Sequence, residues 1–113
     1  MSLTLLGRQV PRVDGKLALS RAIGDDSFKD LDEDPSTWAV TSVPEVRSAE
    51  FRAGDVLVLA CDGLFDVCDN AWVAQRVAAA GAGAEPGQLA KQLAEEALKR
   101  GSDDNVTVLI VRF

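Results

Sequence analysis

The sequence predicts an α+β domain in which helices are layered on a sheet or on a pair of sheets. Two apolar runs, an unbroken one at residues 56–61 and one at 106–111 that includes a threonine, are short and rich in β-branched residues, which is typical of strands covered on both faces. Amphipathic helical patterns occupy residues 71–80 and 86–100, between these two runs. Because doubly covered strands need other elements packed against them, the helices can supply one of the covering layers.

The chain before the first apolar run predicts less regular structure. Residues 16–22 follow an Asp-Gly turn and read as a strand with its leucines on one face. Arg21 falls on that same face, so we expect it either at a solvated strand end or paired with a carboxylate. Residues 26–44 are rich in Asp, Glu, Ser, Thr and Pro, which predicts a solvent-facing loop. Residues 44–51 predict a short strand, and a turn connects it to the first apolar run.

Both predicted helices carry recognisable boundary residues. Asp69 or Asn70 can cap the first helix, and Gly81 ends it. Pro86 suits the first turn of the second helix. The apolar face of that helix predicts a buried stripe made of Leu89, Leu93, Ala94, Ala97 and Leu98.

Composition excludes several classes of function. The 113 residues fit a single domain, and a formal charge of −6 argues against nucleic-acid binding, which needs basic patches. The apolar runs are too short to span a membrane, so we expect no membrane partner. The chain has no histidine and two cysteines, which rules out histidine-based catalysis within it and a four-ligand zinc site. We expect the two thiols to be free and buried, which favours a cytoplasmic or nuclear location.

Carboxylates stand next to both apolar runs. Asp62 and Gly63 follow the first run, and Asp103, Asp104 and Asn105 precede the second. Either motif alone is more typical of a turn or a loop. Carboxylates held at the ends of two buried strands, however, provide the fixed oxygen ligands that a hard cation such as Mg²⁺ or Mn²⁺ requires.

Three motifs resemble those of one enzyme family. Residues 60–67, ACDGLFDV, closely resemble the ACDG(L/I)(F/W)DV signature of the metal-dependent protein serine/threonine phosphatases of type 2C. Residues 17–25, LALSRAIGD, resemble that family's LA(V/L)SRA(L/I)GD stretch, and residues 101–108, GSDDNVTV, its GSxDN(M/V)(S/T)V terminus. The three matches stand in family order and spread over most of the chain.

The resemblance implies a fold, an activity and cofactors. The family fold is a β-sandwich flanked by antiparallel helices, and residues 26–44 lie where the family has an irregular flap beside the active site. The implied activity is hydrolysis of phosphoserine and phosphothreonine in phosphoprotein substrates. Two Mg²⁺ or Mn²⁺ ions activate the attacking water in that reaction.

The resemblance also assigns site residues. Asp62 and Asp104 match metal-ligating aspartates of the family, whereas Asp103 fills a variable position. We expect the residues that follow the two ligands, Gly63 and Asn105, to support the geometry of their loops, and Arg21 to support the fold. Asp66 is expected to form a local side-chain cap or turn bond near the helix start.

The family places its remaining metal ligands and its phosphate-binding arginine in the amino-terminal half of a longer domain. The whole chain, residues 1–113, therefore resembles the carboxyl-terminal portion of one such domain and would hold about half of a binuclear site. We expect the isolated chain to be inactive, and to bind the missing amino-terminal part or to self-associate. The alternative is a non-catalytic, phosphatase-like binding or regulatory module, although the two metal carboxylates favour the enzyme.

Overall fold

The structure, a computed structural model, describes residues 11–113. The chain forms two compact units, Met1–Ser48 and Ala49–Phe113. Helices together with an antiparallel sheet confirm the predicted α+β class. Within the described residues, no helix is both long and apolar enough to cross a bilayer.

The first unit is more irregular than predicted. Its described part contains two short 3-10 turns, Asp26–Phe28 and Pro35–Thr37, within the predicted acidic loop. The predicted strands at 16–22 and 44–51 are wrong, because the described part of this unit has only two isolated bridges, Val13↔Leu17 and Arg21↔Thr41. A strand needs a continuous neighbour, and here the backbone of Thr41 alone pairs with Ser20 and Ala22.

The second unit contains the helices and the sheet. Strand β1 (Val56–Ala60) leads into a short helix, α1 (Asp62–Phe65). Two longer helices follow, α2 (Asn70–Ala80) and α3 (Pro86–Lys99), and strand β2 (Val108–Arg112) closes the unit. The strands pair antiparallel, with Val56 opposite Arg112 and Ala60 opposite Val108. Helix α1 was not predicted, because four residues are too few to display a helical period.

One face of the sheet packs on a hydrophobic core. Alternate strand residues, Val56, Val58 and Ala60 on β1 with Val108 on β2, pack against this core. Its buried members come from α1, both long helices, β2 and the α1–α2 turn; they are Leu64, Cys68, Val73, Leu89, Leu93, Ala97 and Ile110. Leu98, predicted to be buried, is 58% exposed, because the core side of α3 is the narrower stripe of Leu89, Leu93 and Ala97.

The opposite face of the sheet, formed by Leu57, Leu59, Leu109 and Val111, is here called the outer face. The cross-strand partners Leu59 and Leu109 are 49% and 54% exposed, so the prediction that both strands are covered on both faces is wrong. An apolar pattern shows that a face can be buried, but it does not show what covers it. Beside this face, the exposed rings of Phe51 and Phe113 stack with centroids 4.1 Å apart.

Local chemistry sets the boundaries of α2 as predicted. The carboxylate of Asp69 accepts a hydrogen bond from the backbone N–H of Trp72 at 2.7 Å, and Gly81 ends the helix with a φ of 74°. Asp66 does not have the predicted side-chain role near the helix start, since Asp69 provides that cap. Instead, the backbone N–H of Asp66 donates to the carbonyl of Asp62 and closes α1.

The two cysteines are free, as predicted, but they differ in burial. Cys68 is fully buried, and this burial raises the pKa of its thiol. Cys61 is only partly buried, so the prediction of two buried thiols holds for one of them.

Asp69→Ala should lower the free energy of unfolding of the chain by about 1 kcal/mol, because α2 loses the acceptor for one of its first N–H groups. Urea unfolding followed by circular dichroism measures this loss. Asp66→Ala is the matched control: it removes an exposed aspartate three positions earlier without removing the cap. Equal losses from the two variants would contradict the assignment of the cap.

Candidate functional site

Asp62 is the first residue of α1 and lies two positions after the last residue of β1. The strand pairing continues one step past β1, since the backbone N–H of Cys61 donates to the carbonyl of Thr107 at 3.3 Å. Asp62 is exposed, and the glycine after it is buried. The aspartate therefore projects from a paired and well-fixed part of the backbone.

Asp104 lies in the turn between α3 and β2 and is also exposed. Its Oδ1 accepts a hydrogen bond from the backbone N–H of Asn105 at 2.7 Å. This bond orients the carboxylate through one of its two oxygens. Asp103, its neighbour, is equally exposed.

The backbone of the Asp104 turn meets the first turn of α1 at Gly63. A Cβ atom at position 63 would lie 2.3 Å from the carbonyl oxygen of Asn105, a distance that no real side chain tolerates. Only glycine therefore lets the two segments approach this closely. The predicted supporting residues Gly63 and Asn105 are brought into direct contact.

Hydrogen bonds join the same two segments on both sides of Asp62, and we call this set of contacts the seam (residues 61–63 against residues 102–107). The Sγ of Cys61 donates to the carbonyl of Asn105 at 3.2 Å and accepts from the N–H of Thr107 at 3.3 Å. The hydroxyl of Ser102 donates to the carbonyl of Gly63 at 2.7 Å. The residues flanking Asp62 are thus bonded to residues on either side of Asp103 and Asp104.

The charges at the seam are not neutralised by the rest of the described chain. Within residues 11–113, the salt bridges of the structure use the carboxylates of Glu45, Glu95 and Glu96, and none uses Asp62 or Asp104. Nor does the described part contain a cluster of three or more His, Cys, Asp or Glu side chains suited to a metal ion. What the seam offers is two exposed carboxylates on adjoining segments.

The other predicted supporting residues lie outside the seam contacts. Arg21, in the first unit, has its Nη1 3.7 Å from the carboxylate of Glu45, with both side chains about half exposed. It is therefore paired with a carboxylate, as one of the two alternatives predicted, although solvent screens such a pair. Asp66 is exposed at the end of α1.

Sequence reasoning missed two residues of the seam, Cys61 and Ser102. Cys61 was expected only to be a buried free thiol, and Ser102 was given no role. Their positions next to the two aspartate motifs were the available signal, but the partners of their side chains are 39 to 46 residues away in the chain.

Gly63→Ala should lower the free energy of unfolding by about 1–3 kcal/mol, because the added methyl group forces the carbonyl of Asn105 away. Gly83→Ala is the matched control, since nothing lies within 4 Å of a Cβ at that position. That control should change the free energy of unfolding by no more than about 0.5 kcal/mol. Urea titrations of both variants provide the measurement, and a neutral Gly63→Ala would disprove the close approach.

Comparison with known proteins identifies the origin of these motifs. A family model described as protein phosphatase 2C matches residues 4–106. Probable protein phosphatase 2C 41 of Oryza sativa subsp. japonica is 41% identical over 105 residues, which cover 92% of this chain and 33% of the rice protein. Protein phosphatase 2C homolog 1 of Saccharomyces cerevisiae is 39% identical over 101 residues, covering 88% of this chain and 32% of the yeast protein.

A solved structure has the same fold. The crystal structure of a phosphatase from a pathogenic strain of Toxoplasma gondii superposes with a TM-score of 0.84 at 38% sequence identity, over 92% of this chain and 33% of that one. The chain thus spans about a third of the length of the relatives it matches. It belongs to the protein phosphatase 2C family, and the match is consistent with the carboxyl-terminal part of that family's catalytic domain.

Proposed function

We propose that this chain is part of a metal-dependent phosphatase that hydrolyses phosphoserine and phosphothreonine in proteins, and that Asp62 and Asp104 are two of its metal ligands. The observation that carries the proposal is the seam, which joins the segments of these two aspartates. Membership of the protein phosphatase 2C family supports the reaction class.

The donor chemistry of the seam fits Mg²⁺ or Mn²⁺. Carboxylate oxygens are the preferred protein ligands of both ions, which keep several waters when only one or two carboxylates bind them. When bound, a pair of such ions neutralises charge on the phosphoryl oxygens and lowers the pKa of the attacking water. Asp62 and Asp104 would hold the cations at the end of β1 and in the turn before β2.

The contribution of the chain itself is to position the two ligands. The bond from the N–H of Asn105 turns the carboxylate of Asp104, and the close contact at Gly63 sets the distance between the two backbone segments. Fixed ligands of this kind lower the cost of organising the site when a cation binds. Residues 26–44, which we propose as a flap-like loop of the complete domain, belong to the first unit.

Two carboxylates make only part of a binuclear site. Because the described residues contain no cluster of three potential ligands, the other ligands and a cationic group for the phosphate would come from the rest of the domain. We therefore propose that the isolated chain is inactive. The competing proposal is a non-catalytic phosphatase-like module, and the same lack of further metal ligands in the described residues supports it.

Within a complete phosphatase domain that contains this chain, Asp104→Asn should remove most Mn²⁺-dependent activity, because a ligand loses its charge. Asp103→Asn, the matched control one position earlier, should be mild. Turnover of a phosphopeptide or of p-nitrophenyl phosphate measures both effects, and the 113-residue chain alone should give negligible turnover. Similar losses from the two substitutions would disprove the ligand assignment, and full activity of Asp104→Asn would favour the non-catalytic module.

We also propose that the outer face binds the remainder of the domain. Its central pair, Leu59 and Leu109, is about half exposed, and in the described part of the chain β1 and β2 pair only with each other. A two-stranded sheet with open edges is normally covered or extended. The chain spans about a third of its relatives' length, which leaves most of a domain to supply the covering layer.

The free thiols of Cys61 and Cys68 support a cytoplasmic or nuclear location for the assembly.

Without the rest of the domain, the chain should self-associate through the outer face. Leu59→Lys should shift it to a monomer, because a charge at the centre of the face must stay hydrated. Leu98→Lys is the matched control: this leucine is 58% exposed but lies on α3. Light scattering coupled to gel filtration measures the mass. A monomeric parent chain with a cooperative thermal transition would contradict the proposal.

A further inference from the structure

The seam contains two side chains whose hydrogen bonds cross from one aspartate segment to the other. We propose that Cys61 and Ser102 are positioning residues, which hold Asp62 and Asp104 at a fixed separation for cation binding. This inference rests on the proposed function, because it assigns a role within the same metal site.

Cys61 joins the strand end to the turn before β2 from one side. Its thiol acts as donor to the carbonyl of Asn105 and as acceptor for the N–H of Thr107, at 3.2 and 3.3 Å. A methyl group at the same position can do neither, whereas a hydroxyl can do both. The side chain is partly buried, which limits competition from water for these bonds.

Ser102 joins the same segments from the other side. Its hydroxyl donates to the carbonyl of Gly63 at 2.7 Å in a partly buried position. Its own backbone N–H donates to the carbonyl of Ala97 at 3.0 Å, which anchors it to the last turn of α3. The first turn of α1, which begins with Asp62, is therefore tied to α3 through one serine.

The two contacts restrain different motions. Cys61, which precedes Asp62, is bonded to Asn105, which follows Asp104. Ser102, which precedes Asp103, is bonded to Gly63, which follows Asp62. Loss of one contact leaves the segments joined through the other, so they can rotate about it. Cation affinity should then fall, because ligands that are no longer fixed must be ordered when the ion binds.

The test is a titration of the 113-residue chain with Mn²⁺ alone, followed by paramagnetic broadening of backbone amide signals in NMR spectra. In the parent chain, the amides of Asp62, Gly63, Asp104 and Asn105 should broaden together, and Asp62→Asn should abolish this shared effect. Ser102→Ala, which loses one hydrogen bond, should raise the Mn²⁺ concentration for half-broadening about fivefold, and Cys61→Ala, which loses two, should raise it at least as much.

Two further variants distinguish positioning from general stability. Cys61→Ser should restore the parent affinity to within about twofold, because the hydroxyl renews both bonds. Ser48→Ala is the matched control: it removes a hydroxyl from an exposed serine outside the seam and should leave the affinity unchanged. The dispersion of the spectrum shows whether Cys61→Ala folds. If it does not, the Mn²⁺ affinities of Ser102→Ala and Cys61→Ser are compared with that of the parent chain instead.

The outcomes separate the two proposals. Broadening that depends on Asp62 but is unchanged in Cys61→Ala and Ser102→Ala would overturn the positioning role and leave the metal site intact. Failure of Cys61→Ser to rescue Cys61→Ala would overturn the role of the hydrogen bonds of Cys61. Absence of shared broadening in the parent chain would overturn the ligand assignment, and the positioning role with it.

Discussion

The contact of the Asn105 carbonyl with Gly63 is the constraint on which the rest of the site depends. A Cβ at position 63 would stand 2.3 Å from that oxygen, so the approach exists only because the side chain is a hydrogen atom. The same approach brings the hydroxyl of Ser102 and the thiol of Cys61 within bonding distance of their partners. One backbone contact therefore places the first turn of α1 against the turn that precedes β2.

The parts of the fold that could be predicted are those determined by nearby residues. Helices α2 and α3 were predicted closely, because Asp69, Gly81 and Pro86 act on the turn they adjoin. The prediction of strands at 16–22 and 44–51 was wrong, because a strand depends on a neighbour that its own sequence does not specify. The same limit explains the outer face: the run at 56–61 marks an apolar strand, while its covering layer depends on other parts of a domain.

The candidate site divides in the same way. Asp62 and Asp104 could be named from short motifs, and their neighbours Gly63 and Asn105 were expected to support them. The contacts that join the two motifs could not be predicted, because they link residues 39, 44 and 46 positions apart. A thiol that bonds across such a distance looks, in sequence, like any small buried residue.

The long sequence separations across the seam make the site depend on the tertiary fold and not on any one local element. Helices form from neighbouring residues, whereas the seam requires closure of a loop that contains both α2 and α3. A partly folded chain with only its helices in place would present Asp62 and Asp104 as unrelated carboxylates. A cation bound by both carboxylates, as we propose, would favour folded molecules and raise their population by mass action.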